Sequence, residues 1–344
     1  LSIERPITLF IDEFQEFFKV NKSVYSDMQR IWDMYHTKAH INLIVCGSIF
    51  SMMTKIFKDK KEPLYNRQTR FMSIKPFTPA VLKEIMAEYN PNYTSEDLLA
   101  LYSFTGGVAK YVQLLVDAGA TTKTKMLNHI IKADSVFLGE GKAILIEEFG
   151  KDYGVYFSIL SAIARGKTLR SEIEQIVGRE IGGYLTKLEK EYEVITKNQP
   201  IFEKSSTKNV RYTIEDNFFT FWFRFIYKYN YMLEIENYDA VKTIINRDYE
   251  TFSGKMLERY FKRVLAESKA YTRIGSWWDR KGENEIDIVA ENELNDEAVF
   301  IEVKRKEENF DADALNEKVD LFTRATGKFK DYDVSQKGLS MTDM

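Results

Sequence analysis

The chain has 344 residues with 49 Lys+Arg against 52 Asp+Glu, a formal net charge of −3. That length gives two or three domains, each able to bury a core, and the balance excludes a polybasic coat that binds nucleic acid by net field. Hydrophobic residues at 44% and charged residues at 29% exclude a disordered or collagen-like chain. One cysteine, Cys46, and three histidines, His36, His40 and His129, exclude a disulfide framework and a Cys- or His-rich metal centre, and fit a reducing cytoplasm.

No uncharged apolar run reaches the roughly 18 residues of a membrane helix, and LSIERPITLF lacks a signal peptide's layout. The chain does not begin with Met and enters an apolar strand almost at once, so its start reads as cut. Ile7 to Ile11 (ITLFI) predicts a parallel strand covered on both faces, ending in Asp12-Glu13. An amphipathic helix follows from about Ser23 to Tyr35, with Val24, Met28, Ile31, Trp32 and Tyr35 on one stripe. A second run, Ile41 to Cys46, ends in Gly47-Ser48. Strand, helix, strand reads as a βαβ unit, whose ligand site lies beyond the carboxyl ends of the strands.

After the solvated loop Lys58–Lys61 come Arg67, Arg70 and an extended segment from Phe71 to Phe77. Helices start near Thr78-Pro79 and near Ser95, the latter capped by the Ser95 hydroxyl and stopped at Gly106-Gly107. Residues 78 to about 150 read as a helical lid. From 151 to 235 the pattern is three helices (Val155–Ala164, about Leu169–Val177, Glu180 to about Glu191), then a hairpin of Val194–Ile201 and Val210–Ile214. That is the winged-helix plan. The aromatic block Asn217–Tyr229 reads as a buried helix. A last unit, 249–330, combines helix Phe252–Ala266 with strands Ala270–Gly275, Glu285–Ala290 and Ala298–Val303 and a polar tail expected to fray from Asp331.

Two places carry chemistry. At the first strand ends, Asp12 suits Mg²⁺, which takes hard oxygen ligands, and Glu13 suits a water-polarising role in phosphate hydrolysis. Ser48, on the next strand, would touch a γ-phosphate or that water, and Arg67 or Arg70 could neutralise developing charge. LFIDEFQ, the strand ending CGS, the segment Thr105–Tyr111 (TGGVAKY) and the FW-rich block resemble the archaeal-type P-loop ATPases of the AAA+/STAND kind. The resemblance runs to about Phe329. It implies that Asp12-Glu13 are the Walker B pair with ATP and Mg²⁺, that Ser48 is at the sensor-1 position, and that Arg67 matches a post-sensor arginine. Two departures stand out. No G-x-x-x-x-G-K-[ST] loop occurs anywhere and only 11 residues precede Asp12, while Ala109 replaces the family's usual proline. Without that cradle of backbone N–H groups this chain is expected to bind ATP poorly, and the absence reads as truncation of a longer polypeptide.

The second place is Asp287 in EIDIV, with Glu302 and Lys304 on the next strand 15 and 17 residues later. Alternation puts Glu302 and Lys304 on one side, and two carboxylates can bind Mg²⁺ or Mn²⁺ while the lysine orients water. Glu258 on the preceding helix is a fourth member. The set resembles the PD-(D/E)xK core of restriction-endonuclease-like folds, and GSWWDRKGENEIDIVA resembles the C-terminal domain fused to this ATPase family. The fold class expected is therefore α/β: an N-terminally incomplete parallel-sheet ATPase core (1–77), helical lid, winged helix and nuclease-like domain.

Between Lys151 and Glu215 there are 11 Lys+Arg against 9 Asp+Glu, so DNA contact through Lys187, Lys190, Lys204, Lys208 and Arg211 would be weak and salt-sensitive. The competing role for that segment is coupling between domains, and the competing class for the chain is a non-catalytic module binding a protein partner, a second copy of itself or nucleic acid. Trp222, Trp277 and Trp278 read as core, and Cys46 as a buried small hydrophobe.

Overall fold

The computed structural model describes residues 4–21 and 23–344; Leu1–Ile3, the opening of LSIERPITLF, and Lys22 lie outside the described residues. The chain divides into two units, one formed by Leu1–Ile74, Ala143–Tyr153 and Lys190–Tyr192, the other by Lys75–Lys142, Gly154–Glu189 and Glu193–Met344.

In the first unit the β-branched run forms β1 (Ile7–Ile11), followed by α1 (Ser23–Tyr35), β2 (Ile41–Val45) and α2 (Phe50–Lys58). β1 and β2 pair in parallel from Ile7↔Ile41 to Ile11↔Val45, as the βαβ pattern requires. The core is the cluster of Phe14, Tyr25, Met53, Ile56, Phe57 and Leu64. Two expectations fail here. Leu9, Phe10 and Ile44 are exposed rather than covered on both faces, because among the described residues this sheet has only two strands. On α1 the expected stripe holds only in part: Met28 packs against the core while Ile31 and Tyr35 are exposed, and Tyr25, off that stripe, is the helix's buried residue.

The second unit opens with helices α3 (Pro79–Tyr89), α4 (Ser95–Thr105), α5 (Ala109–Asp117) and α6 (Lys123–Ile130) and the start of α7 (Val136–Phe149), whose residues from Ala143 belong to the first unit. The cap of α4 is Thr94, not Ser95. Its hydroxyl accepts from the Asp97 amide while the Asp97 carboxylate accepts from the Thr94 amide, a reciprocal capping box. The segment from Phe71 to Phe77 joins no sheet. Three helices follow, α8 (Tyr153–Ala164), α9 (Arg170–Val177) and α10 (Gly182–Lys190), then the antiparallel pair β3 (Ile195–Asn198) and β4 (Arg211–Ile214). The aromatic block becomes α11 (Asn217–Phe221), running into a π-helical turn at Trp222–Tyr227. Gly141 makes room for it, since a Cβ there would stand 2.5 Å from the Trp222 indole.

A 31-residue helix, α12 (Tyr238–Ser268), leads to a four-stranded sheet. Strands β5 (Arg273–Trp278), β6 (Glu285–Asn292) and β7 (Glu297–Val303) are antiparallel, and α13 (Ala312–Thr326) crosses to β8 (Asp333–Leu339), which lies parallel to β7. Leu315, Val319 and Phe322 of α13 pack with Trp277, Ile286, Phe300 and Phe329. The tail expected to fray is thus the edge strand β8; its burial rises only at Leu339, so its place is set by backbone pairing rather than by an apolar pattern. Among the described residues no helix is long and apolar enough to cross a membrane.

Candidate functional site

In the first unit, backbone pairing continues past the strands: Cys46 N donates to Ile11 O at 3.0 Å and Phe14 N to Cys46 O at 2.8 Å. This brings residues 12–14 beside 46–48. The chain then turns through Glu13, whose φ of 47° lies in the left-handed region, a conformation that costs a non-glycine residue of order 1–3 kcal/mol. The turn lets Glu13 Oε2 accept from Ser48 Oγ at 2.9 Å and from Ser48 N at 3.3 Å, and from the Gln15 side-chain amide. Asp12 Oδ1 accepts from the Cys46 thiol at 2.7 Å and from the Glu13 amide at 2.9 Å. Hydrogen bonds from Gln15 and then Ser48 hold the Glu13 carboxyl below its ordinary pKa. Those from Cys46 and then the Glu13 amide do the same for Asp12. Both are therefore anionic at neutral pH.

The three residues predicted from the strand ends, Asp12, Glu13 and Ser48, are brought together and exposed. Cys46 corrects its reading as a buried hydrophobe: it is half-buried and its thiol is spent on Asp12. Gln15, overlooked in the sequence, is buried beneath Glu13. Nothing in the LFIDEFQ run singles out Gln15, two residues after Glu13, because its contact depends on the turn between them. Arg67 makes a bidentate pair with Asp33, Nε to Oδ1 and Nη2 to Oδ2 at 2.8 Å each, and Nη1 donates to Pro63 O at 2.8 Å. Its guanidinium is already committed.

The second set sits where the β6–β7 ladder ends. Pairing runs to Ile288↔Ile301, and one step further the Asp287 carboxylate, rather than a carbonyl, accepts from Val303 N at 2.8 Å. Glu302 lies across from it. Lys304 Nζ donates to Glu302 Oε1 at 2.9 Å, which confirms that the two share a side of the strand, and Lys318 Nζ from α13 donates to the same oxygen at 3.0 Å. Glu302 is 7% exposed and its Oε2 is buried with no hydrogen-bond partner. Burial first, then the nearby charges of Glu258 and Glu302, push the Asp287 carboxyl up to about 7. Burial is the largest single influence and lowers the Lys304 ammonium pKa, but the hydrogen bond to Glu302 together with the charges of Glu302, Asp287 and Glu258 raises it, so Lys304 remains a cation. Glu258, on α12, pairs with Lys255 at 2.9 Å.

Among the described residues no three His, Cys, Asp or Glu side chains converge closely enough to form a ready metal cage. Mg²⁺ and Mn²⁺ do not need one, because they retain waters around one or two carboxylates. An orphaned, buried carboxylate oxygen beside a second carboxylate fits such an ion.

Of the expected DNA contacts, Lys187, Lys190, Lys204 and Lys208 are exposed. Arg211 is not free: it pairs with Glu285 at 2.8 Å and stacks over Trp278 at 4.4 Å. Ile201 N bonds Ser276 O at 2.8 Å and Ile201 enters the core beneath β5, so the segment around the hairpin docks on the last sheet. Trp222, Trp277 and Trp278 are buried.

Residues 2–115 match the model of an ATPase domain predominantly from Archaea. An uncharacterized protein of Methanocaldococcus jannaschii is 33% identical over 314 residues, which cover 87% of this chain and 67% of that protein. The chain belongs to the archaeal-type ATPase family. The ATPase-domain match contains Asp12, Glu13, Ser48, Arg67 and the Thr105–Tyr111 segment. Residues 222–317 of this ATPase-family chain match a second family, described as archaea bacterial proteins of unknown function. That second match contains Glu258, Asp287, Glu302 and Lys304 and ends one residue before Lys318.

Proposed function

We propose that the protein hydrolyses ATP with Asp12 serving Mg²⁺ and Glu13 polarising the attacking water, and that nucleotide state is coupled to the C-terminal module. The observation that carries this reading is the 2.9 Å bond from Ser48 Oγ to Glu13 Oε2. It joins the two strand ends at which an α/β sheet places its ligand, and gives Glu13 a partner it can exchange for water when a γ-phosphate takes the serine. Mg²⁺, when bound, supplies charge neutralisation at the phosphates. Phosphate ligands of the G-x-x-x-x-G-K-[ST] type are absent from these residues, so the reading requires them from elsewhere. Arg67 contributes only by leaving Asp33. Turnover in a form extended to carry a phosphate loop tests the roles: Glu13→Gln and Ser48→Ala are expected to lose it, and full activity in both rejects the assignment.

A second reading is favoured by Glu302 Oε2. The order α12, β5, β6, β7, α13, β8 and the carboxylate–lysine set support a restriction-endonuclease-like module in which Asp287 and Glu302 hold Mg²⁺ or Mn²⁺, Glu258 assists and Lys304 faces a phosphodiester. The three helices and hairpin before it support a winged helix in a cytoplasmic protein acting on DNA, with Lys187, Lys190, Lys204 and Lys208 free for phosphates. The docked Arg211 supports domain coupling instead, as in a non-catalytic module that binds nucleic acid, a protein or a second copy. Mn²⁺-dependent DNA cleavage decides: the Glu302→Ala, Lys304→Ala double variant is expected to lose about 10²-fold or more, and equal cleavage rejects the nuclease site.

A further inference from the structure

Lys318 occupies the inward side of α13, three residues after Leu315 and immediately before Val319, both buried. Bringing a lysine ammonium in toward a core costs side-chain entropy and solvation, so its partner matters. That partner is Glu302 Oε1, which already accepts from Lys304. Two ammonium groups on one oxygen exceed what the charge of Glu302 requires, while Oε2 of the same carboxylate stays buried and unpartnered. The asymmetry fixes the carboxylate: one oxygen is clamped and the other is left for a ligand. The two lysines also differ. The Lys304 side chain is 37% exposed at the end of β7, whereas that of Lys318 is 25% exposed and rooted in a helix packed on the sheet.

We propose that Lys318 is a positioning residue for a divalent-cation site: by holding Glu302 Oε1 it presents Oε2 to a cation shared with Asp287 and releases Lys304 toward a phosphodiester. The proposal rests on reading Asp287 and Glu302 as cation ligands. Partners that orient a metal ligand from behind typically contribute 10–100-fold in metal affinity. A merely charge-balancing lysine has the opposite sign, since removing a cation beside a cation site strengthens cation binding.

The test is Mn²⁺ affinity of the full chain, measured by calorimetry and by the electron paramagnetic resonance of unbound Mn²⁺, with DNA cleavage followed in parallel. Lys318→Met is expected to weaken Mn²⁺ binding about 10–100-fold and Lys318→Arg to restore most of it. Lys318→Gln replaces the Met variant if circular dichroism shows that one unfolded. Weakening of this kind supports the role of Lys318 whether or not DNA is cut; intact Mn²⁺ binding without cleavage rejects the nuclease reading alone. Unchanged or tighter Mn²⁺ binding by Lys318→Met overturns the role while leaving the cation site, provided Glu302→Gln abolishes binding. No Mn²⁺ binding by the wild-type chain overturns both.

Discussion

Glu13 stands in a backbone conformation that few non-glycine residues adopt, and the hydrogen bonds from Ser48 and Gln15 hold it there. The glycine at position 47 is part of the same arrangement. A Cβ on Gly47 would fall 2.1 Å from Gln15 Oε1 and 2.7 Å from Met53 Sδ, and Gln15 cannot retreat without dropping Glu13. Gly47→Ala is therefore expected to destabilise the first unit by about 1–3 kcal/mol, read as a lower urea midpoint; an unchanged midpoint contradicts the close packing. Asp12, Glu13 and Ser48 were legible in the sequence because strand ends in an α/β pattern converge. Gln15, Cys46 and Lys318 were not. Gln15 and Cys46 act through a side-chain path set by a single left-handed residue, and Lys318 through a helix-to-sheet contact with no fixed sequence spacing.

At the level of elements, local chemistry and pairing decide separate things. α11 is capped at its N-terminus by Asp216, whose carboxylate accepts from the amides of Phe218 at 2.6 Å and Phe219 at 3.4 Å. Burial raises its pKa to about 6 against the pull of those amides and of Arg259. In the unfolded chain the same group titrates near about 3.9. The folded state thus holds the proton to higher pH, so the contribution of Asp216 to stability is full below about pH 4 and is lost as pH rises through about 6. Asn caps helices as well as Asp does, so Asp216→Asn should remove this decline without removing the cap. Urea midpoints of the two proteins should diverge between about pH 4 and pH 6 and run parallel above. Parallel curves throughout contradict a raised pKa at the Asp216 cap. β1 and β2 were readable within a residue from their short apolar, β-branched runs, and α1 from its amphipathic spacing. β8 was not, because it is polar along most of its length and is held as an edge strand mainly by the backbone of β7, with Gln336 donating to Asn316 of α13, and the exposed faces of β1 and β2 show that an apolar run reports a preference for cover rather than its presence.

For the molecule as a whole, the near-neutral charge directs attention away from a general nucleic-acid field and toward two carboxylate sites, one at the strand ends of the ATPase domain and one at the end of the β6–β7 ladder. Each lies within its own unit, and family membership speaks most directly for the first. The central claim is that Glu13 is the water-polarising carboxylate of an ATPase. It is tested by ATP turnover of the chain alone and of a form extended ahead of Leu1 with a phosphate loop, each with and without Glu13→Gln. The account predicts near-background turnover for the chain alone, hydrolysis in the extended form, and a loss of about 10²-fold or more in its Glu13→Gln variant. Equal turnover with and without that substitution contradicts it.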